Sequence, residues 1–309
     1  MQPTIGITAG DPAGIGLEVV LKSISSVLNS ARWILFSDRS VFERNAAKFN
    51  PEIDLEINDL GDAASDIQWG QPGPRSGQRA LACLEAASEA ALAGKIDAIV
   101  TAPVSKEAIG GSFHGQTDFL AERAGINQFA MAFFAPTIKV VLATIHVSLR
   151  EALGQISTDR YTGLIRFVDS ELRRLKFQHR RIAVAAINPH AGEGGMFGTE
   201  DMDIIAPAVT QCAQEGIDVS GPHSADSLYF RAHSGEFDVV IAPYHDQGLI
   251  PVKLIAHGES TNVTLGLPYV RTSPDHGTAF SIAGKGIADP SGMAAALRCA
   301  LDLVSRRSL

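Results

Sequence analysis

The chain has 309 residues, 45% hydrophobic content and a formal net charge of -8, enough to bury one large core or two smaller ones. An acidic balance without clusters of Lys and Arg among aromatics excludes a nucleic-acid or membrane surface, so an anionic substrate must be met by local basic groups. The first residues, Met1 to Thr8, lack the basic and apolar regions of a signal peptide, and no apolar run is long enough to span a bilayer, so a cytoplasmic protein is expected. Cys83, Cys212 and Cys299 show no CxxC spacing, which argues against a disulfide framework or a thiolate zinc site.

Along the chain, short runs rich in Val and Ile alternate with longer amphipathic stretches, the pattern of βα units feeding a mostly parallel sheet. Strands are predicted over Thr4–Thr8, Trp33–Phe36, Ala98–Thr101, Val140–Ile145, Ile182–Ile187 and Val239–Ala242. Helices are predicted over Leu17–Leu28, Gly77–Ala93, Tyr161–Leu175, Asp203–Gln214 and Gly292–Val304. Gly70–Gly77 reads as a loop of turn-forming residues, either within a lobe or at its border.

Three predicted strands run apolar and then stop at a histidine: His146, His190 and His245. In open α/β sheets ligands bind at the carboxyl ends of strands, so the three imidazoles are expected to gather. Three neutral imidazoles with an open position suit a catalytic divalent cation; any one of them alone is more simply a loop histidine. His190 sits in the glycine-rich Asn188–Gly195 and His245 opens His245–Gly248, both read as binding loops, with Lys253 close behind.

The first strand leads into Gly10-Asp-Pro-Ala-Gly-Ile-Gly16, in which Gly10, Asp11 and Gly14 are either a phosphate-contacting loop or a structural turn. It has neither GxGxxG spacing nor a P-loop ending. A second glycine segment, Asp275–Pro290, suits a nucleotide-contacting loop through His276, Gly277, Ala283, Gly284 and Asp289, though a cap and turn use similar residues. Between them, Lys253, Asn262 and Arg271 form a cation, amide and guanidinium set for a phosphate or carboxylate, with Asn262–Arg271 read as strand-like.

Taken in order, Ile7–Gly16, Thr101–Lys106, Gly115–Phe119, Asn188–Gly195, Tyr244–Gly248 and Asp275–Ala279 resemble the 4-hydroxythreonine-4-phosphate dehydrogenase family from end to end. The resemblance implies oxidation of a secondary alcohol by NAD (or NADP), then decarboxylation of the β-keto acid. It also implies a divalent metal (zinc, magnesium or cobalt) and a homodimer with its active site at the subunit interface. His146, His190 and His245 match the family's metal ligands; Lys253, Asn262 and Arg271 match its substrate-binding residues, and Thr117 the threonine of a His-Thr pair. The implied fold is the two-lobed, non-Rossmann α/β/α architecture of isocitrate and isopropylmalate dehydrogenases. One lobe, 1–120 with 262–309, would carry the nucleotide loop, and the other, 121–261, the histidines and dimer contacts.

In one departure, Gln116 stands where the family has histidine before Thr117, so a titratable group is replaced by an amide. His114 would substitute only through a rearranged loop. Asp246 and Lys106 are the polar candidates for proton transfer. The substrate expected first is 4-hydroxythreonine 4-phosphate; a phosphorylated sugar acid or an aromatic carboxylate cis-dihydrodiol of the terephthalate type is the alternative. Three histidines with an open position also suit a metal-dependent hydrolase.

Overall fold

The computed structural model describes residues 2–307. Its strands are β1 (Thr4–Thr8), β2 (Arg32–Ser37), β3 (Glu56–Asp59), β4 (Ala98–Thr101), β5 (Ala130–Phe134), β6 (Lys139–Leu142), β7 (Ile182–Ala185), β8 (Val219–His223), β9 (Val239–Ala242), β10 (Thr261–Leu265) and β11 (Val270–Pro274). The chain divides into two compact units, one running to Phe129 and resuming at Thr261, the other Ala130–Ser260.

In the first unit the strand order is β3-β2-β1-β4-β11-β10, parallel except for β10, which runs antiparallel to β11. The chain leaves β1 towards β2 and β3, then returns to place β4 on the other side. The carboxyl ends of β1 and β4 therefore flank a topological switch point, where such sheets take ligands. Ile5, Ile7, Leu35 and Ile99 are fully buried between the covering helices, each contributing roughly 1.5–3 kcal/mol by leaving water.

In the second unit the order is β5-β6-β9-β7-β8, with β5 antiparallel to β6 and the remaining neighbours parallel. Val140, Leu142, Ala183, Val240 and Ala242 pack with Leu249 and Val252 into its core. The strands that precede the three histidines, β6, β9 and β7, are thus direct neighbours running the same way.

Several expected elements are redrawn. The helix predicted to reach Leu28 ends at Ser23 and gives way to two 3-10 turns, where the Ser23 and Ser26 hydroxyls bond back to carbonyls of the preceding turn. Half of the predicted Gly70–Gly77 loop is helix: Pro74 takes the first helical position of Pro74–Leu92, where a missing N–H costs nothing. His245 does not open a loop but is the first residue of the helix His245–Ala256. Asn262–Arg271 is a hairpin of two strands turning at Gly266–Tyr269, not one strand.

Candidate active site

In the first unit the site begins with sheet register. Arg271 on β11 lies opposite Ile99 on β4, and Thr101, two residues on, shares its face. Val263 pairs with Thr272 across the hairpin, so Thr264 falls opposite Arg271 and Asn262 diagonal to it. The side chains follow. Arg271 donates from Nε and one terminal nitrogen to Thr101 Oγ1 at 3.2 and 2.7 Å, and from the other to Thr264 Oγ1 at 3.1 Å and Thr117 Oγ1 at 3.3 Å. Gln116 completes the frame, accepting from Arg271 at 3.4 Å while its amide nitrogen donates to the Ala102 carbonyl at 3.1 Å.

Arg271 is 3% exposed and every acceptor around it is neutral. Desolvation lowers its pKa to about 10, so it keeps its charge at neutral pH with no carboxylate to balance it. Asn262 Oδ1 is also buried and without a partner. An uncompensated buried cation suits an anionic ligand group, and an orphaned amide oxygen suits a hydroxyl or amine donor.

Gln116 and Thr117 lie in the first turn of the helix Gln116–Arg123. His114, in the preceding loop, lines a separate cavity of about 240 Å³ with Phe113, Asp118, Phe119 and Glu122, so it does not stand in for the missing histidine. Lys106 starts the short helix Lys106–Ile109, exposed, with its side chain against Gly115.

The loop after β1 is closed on itself. A Cβ on Gly10 would lie 2.5 Å from the Pro103 carbonyl, and one on Gly14 2.9 Å from that of Thr278, so both glycines let backbone approach backbone. Asp11 is buried, accepting from Ala13 N and Ser76 Oγ, and burial raises its pKa despite those bonds. Beside it, Ile15 N donates to the Thr278 carbonyl, which joins this turn to Asp275–Pro290. In that second loop His276 Nδ1 meets the Gly277 carbonyl at 3.0 Å, while its Nε2 is buried without a partner, and Gly277 faces open space. Asp289 caps the last helix through Ser291 N.

In the second unit, two histidines come together. Beyond β6 and β9 the chains stay knit: Ala143 N donates to the Ala242 carbonyl at 2.8 Å, and Thr144 Oγ1 to that of Pro243 at 2.8 Å. This holds the His146 and His245 rings 5.8 Å apart, centre to centre, at the wall of a cavity of about 250 Å³ that also includes Tyr244, Asp246 and Leu149. Asp246 Oδ1 lies 2.7 Å from His245 Nδ1, a bond that puts the proton of a neutral ring on Nδ1 and leaves Nε2 with its lone pair. Lys253 is exposed roughly two turns further along the same helix.

His190 follows β7 on a turn of its own. It sits in a five-residue left-handed turn, His190–Gly194, with φ between 43° and 82°, and its ring packs 6.4 Å from that of Phe197. Among the described residues of one chain, no group of three His, Cys, Asp or Glu side chains is arranged to hold a metal ion. The turn is pinned by Asp201, whose buried side chain accepts from Ile187 N at 2.8 Å and Asn188 N at 3.0 Å.

Sequence reasoning missed Thr101 and Thr264 around Arg271, Ser76 beside Asp11, and Asp201. Threonine in a strand reads as a β-former, and an aspartate in a helix start as a cap, so neither type advertised its role.

The family model of the pyridoxal phosphate biosynthetic protein PdxA matches residues 17–300. The chain belongs to this family. It is 38% identical to the D-threonate 4-phosphate dehydrogenase of Pectobacterium atrosepticum, over 98% of this chain and 100% of that one. It is 40% identical to the 4-hydroxythreonine-4-phosphate dehydrogenase of Desulforapulum autotrophicum, over 97% and 95%. The solved 4-hydroxythreonine-4-phosphate dehydrogenase of Klebsiella pneumoniae superposes with a TM-score of 0.89 at 36% identity, covering 98% of each chain. A terephthalate 1,2-cis-dihydrodiol dehydrogenase from Burkholderia xenovorans is further off, with a TM-score of 0.69 at 31% identity over 97% and 98%. An isocitrate dehydrogenase from Methylococcus capsulatus shares the fold alone, at 17% identity and a TM-score of 0.52, over 99% and 87%. This member of the PdxA family is a dehydrogenase of that two-lobed α/β class, and the hydrolase alternative falls.

Proposed function

We propose that the chain catalyses NAD- or NADP-dependent oxidative decarboxylation of a 4-phosphorylated 3-hydroxy acid, with a divalent cation, in a homodimer whose active site lies at the subunit interface. 4-Hydroxythreonine 4-phosphate is the first substrate. D-Threonate 4-phosphate is the second, favoured by the names of several relatives at 38% to 40% identity. The two acids share the carboxylate, the C3 hydroxyl and the phosphate, and differ at C2. Oxidation at C3 passes a hydride to the nicotinamide and a proton to a base; the β-keto acid then loses carbon dioxide, and the electron pair left on C2 takes up a proton.

The observation that carries this reading is Arg271, a guanidinium buried among threonines and an amide with no carboxylate beside it. Burying a cation costs several kcal/mol, which a substrate phosphate or carboxylate would offset through a bidentate pair. The dihydrodiol of an aromatic carboxylate also offers a carboxylate to Arg271, and the lower structural likeness to the dihydrodiol enzyme is what favours the phosphorylated acids. Asn262, Thr117, Gln116 and Lys253 are the further substrate-binding residues.

The imidazoles of His146 and His245 fit a divalent cation, with His190 as the third nitrogen donor, and a set of imidazoles favours zinc or cobalt over magnesium. When bound, the cation supplies Lewis-acid polarisation of the substrate hydroxyl. Asp246 holds the His245 tautomer and, with Lys106, is a candidate to move protons. His276, with its unpartnered Nε2, and Gly277, Ala283, Gly284 and Asp289 fit a dinucleotide, with Gly10, Asp11 and Gly14 shaping the adjoining turn. Exposed Leu149, Leu153, Ile250 and Leu254 in the unit that carries His146 and His245 support the homodimer.

Arg271→Met tests the reading, since it keeps the packing and removes the charge. KM for the phosphorylated acid should rise about 100-fold while KM for NAD stays within about twofold. Equal losses for both would contradict the assignment. Turnover of the two acids by the parent protein, compared as kcat/KM, decides between them.

A further inference from the structure

The loop Asp275–Pro290 reaches across its own unit to two places that no expectation from the sequence assigned. At its middle, Gly284 lies on the indole of Trp69: a Cβ there would fall 2.6 Å from Cε3 and 2.7 Å from Cδ2, and φ is +75°, so only glycine fits this face. Trp69 is itself braced. The Arg44 guanidinium lies 4.7 Å and the Lys48 ammonium 4.9 Å from its ring centre, with the Phe49 ring 5.8 Å away. Arg44 also donates to the Pro12 carbonyl, and Gly70 N donates to that of Ala13, so the brace continues into the turn after β1.

Near its end the loop meets the first helix. Lys22 Nζ donates to the Gly286 and Ala288 carbonyls at 2.8 and 3.0 Å and to Glu18 Oε1 at 2.8 Å. Glu18 is 1% exposed and accepts from Ala288 N at 2.9 Å. Both groups face the loop from one turn of helix, and their pairing satisfies three backbone groups that the loop cannot satisfy within itself.

We propose that Trp69 and the Glu18–Lys22 pair are cofactor-positioning residues, which hold Gly284–Ala288 in the shape that receives the dinucleotide. The proposal rests on the reading of Asp275–Pro290 as the cofactor loop. A preshaped loop spares the ordering that binding would otherwise require, so loosening it weakens the dinucleotide and leaves the acid untouched.

Two measurements test it. The chain has two tryptophans, Trp33 and Trp69, and Trp33 is buried in β2 with its indole N–H on the Val27 carbonyl. In Trp33→Phe, the emission of Trp69 should change saturably as NAD is added without substrate or metal, whereas in Trp69→Phe the remaining tryptophan should stay flat. By calorimetry, Lys22→Met should weaken NAD about tenfold with the KM of the acid unchanged, and Lys22→Arg should recover most of that loss. Should NAD bind while Trp69 emission is flat and Lys22→Met binds like the parent, the positioning role is overturned and the cofactor reading stands. Absence of any NAD or NADP binding to the folded parent overturns both.

Discussion

Arg271 and Gln116 show how much one side chain decides. A histidine at position 116 would titrate near neutral pH beside a guanidinium; the amide that is there bridges Arg271 to the Ala102 carbonyl and carries no charge at any pH. Capture of the anion at Arg271 in the parent should therefore follow the ionisation of the ligand between about pH 6 and 9, because Arg271 loses its proton only towards about 10. In Gln116→His the neighbouring cation disfavours the imidazolium, so an added positive charge appears only at the acid end, and binding of the anion should tighten as pH falls. The pH profile of KM for both proteins checks this, and identical profiles would show that position 116 does not sense the ligand. At this scale the sequence was legible where complementary residue types cluster between binding loops. Arg271 drew attention with Lys253 and Asn262, as a cation, amide and guanidinium set between the third histidine and the second glycine loop. Thr101 and Thr264 did not, because only register shows that they face it.

Among elements, the sheet strands were the easiest to read, since β1, β4 and β9 are short runs of Val, Ile, Ala and Thr with turn residues on both sides. β3 was invisible: Glu56–Asp59 is a polar edge strand with little to bury. The helix Arg39–Phe49 was also missed, because charged residues break its apolar stripe. The least legible element is the left-handed turn at His190. His190, Ala191 and Glu193 all take positive φ, at about 1–2 kcal/mol each, and glycine content alone does not announce a turn of that hand. Asp201 stabilises its entry. Asp201→Ala strands two backbone N–H groups and should cost about 3 kcal/mol, lowering the melting temperature by several degrees. An unchanged melting curve would mean that the turn holds without it.

At the scale of the molecule, the alternation of strand and helix foretold an α/β fold. The hairpin β10–β11 was hidden because Gly266–Tyr269 interrupts what reads as one apolar run. Of the three histidines expected to gather, two do so in one chain. Equivalent strand ends put His146 and His245 together, because β6 and β9 are neighbours and stay bonded past their ends. His190 leaves β7 through a turn of its own, which strand ends alone do not describe. No helix among the described residues is long and apolar enough to cross a membrane, and the pairs Leu149/Leu153 and Ile250/Leu254 are exposed. The proposed homodimer accounts for them. Leu254→Asp places a charge in that contact and should yield a folded monomer in sedimentation with little activity; an unaltered oligomer would place the contact elsewhere.

The proposed reaction is oxidation and decarboxylation of a phosphorylated hydroxy acid with help from a divalent cation. Its most direct test follows NADH and carbon dioxide together, with 4-hydroxythreonine 4-phosphate or D-threonate 4-phosphate as substrate, after chelation and again after zinc or cobalt is restored. The two products should appear in equal amounts, be absent after chelation and return with the metal. NADH formed at the same rate in the chelated protein, or no turnover of either acid by folded, metal-restored protein, would contradict it.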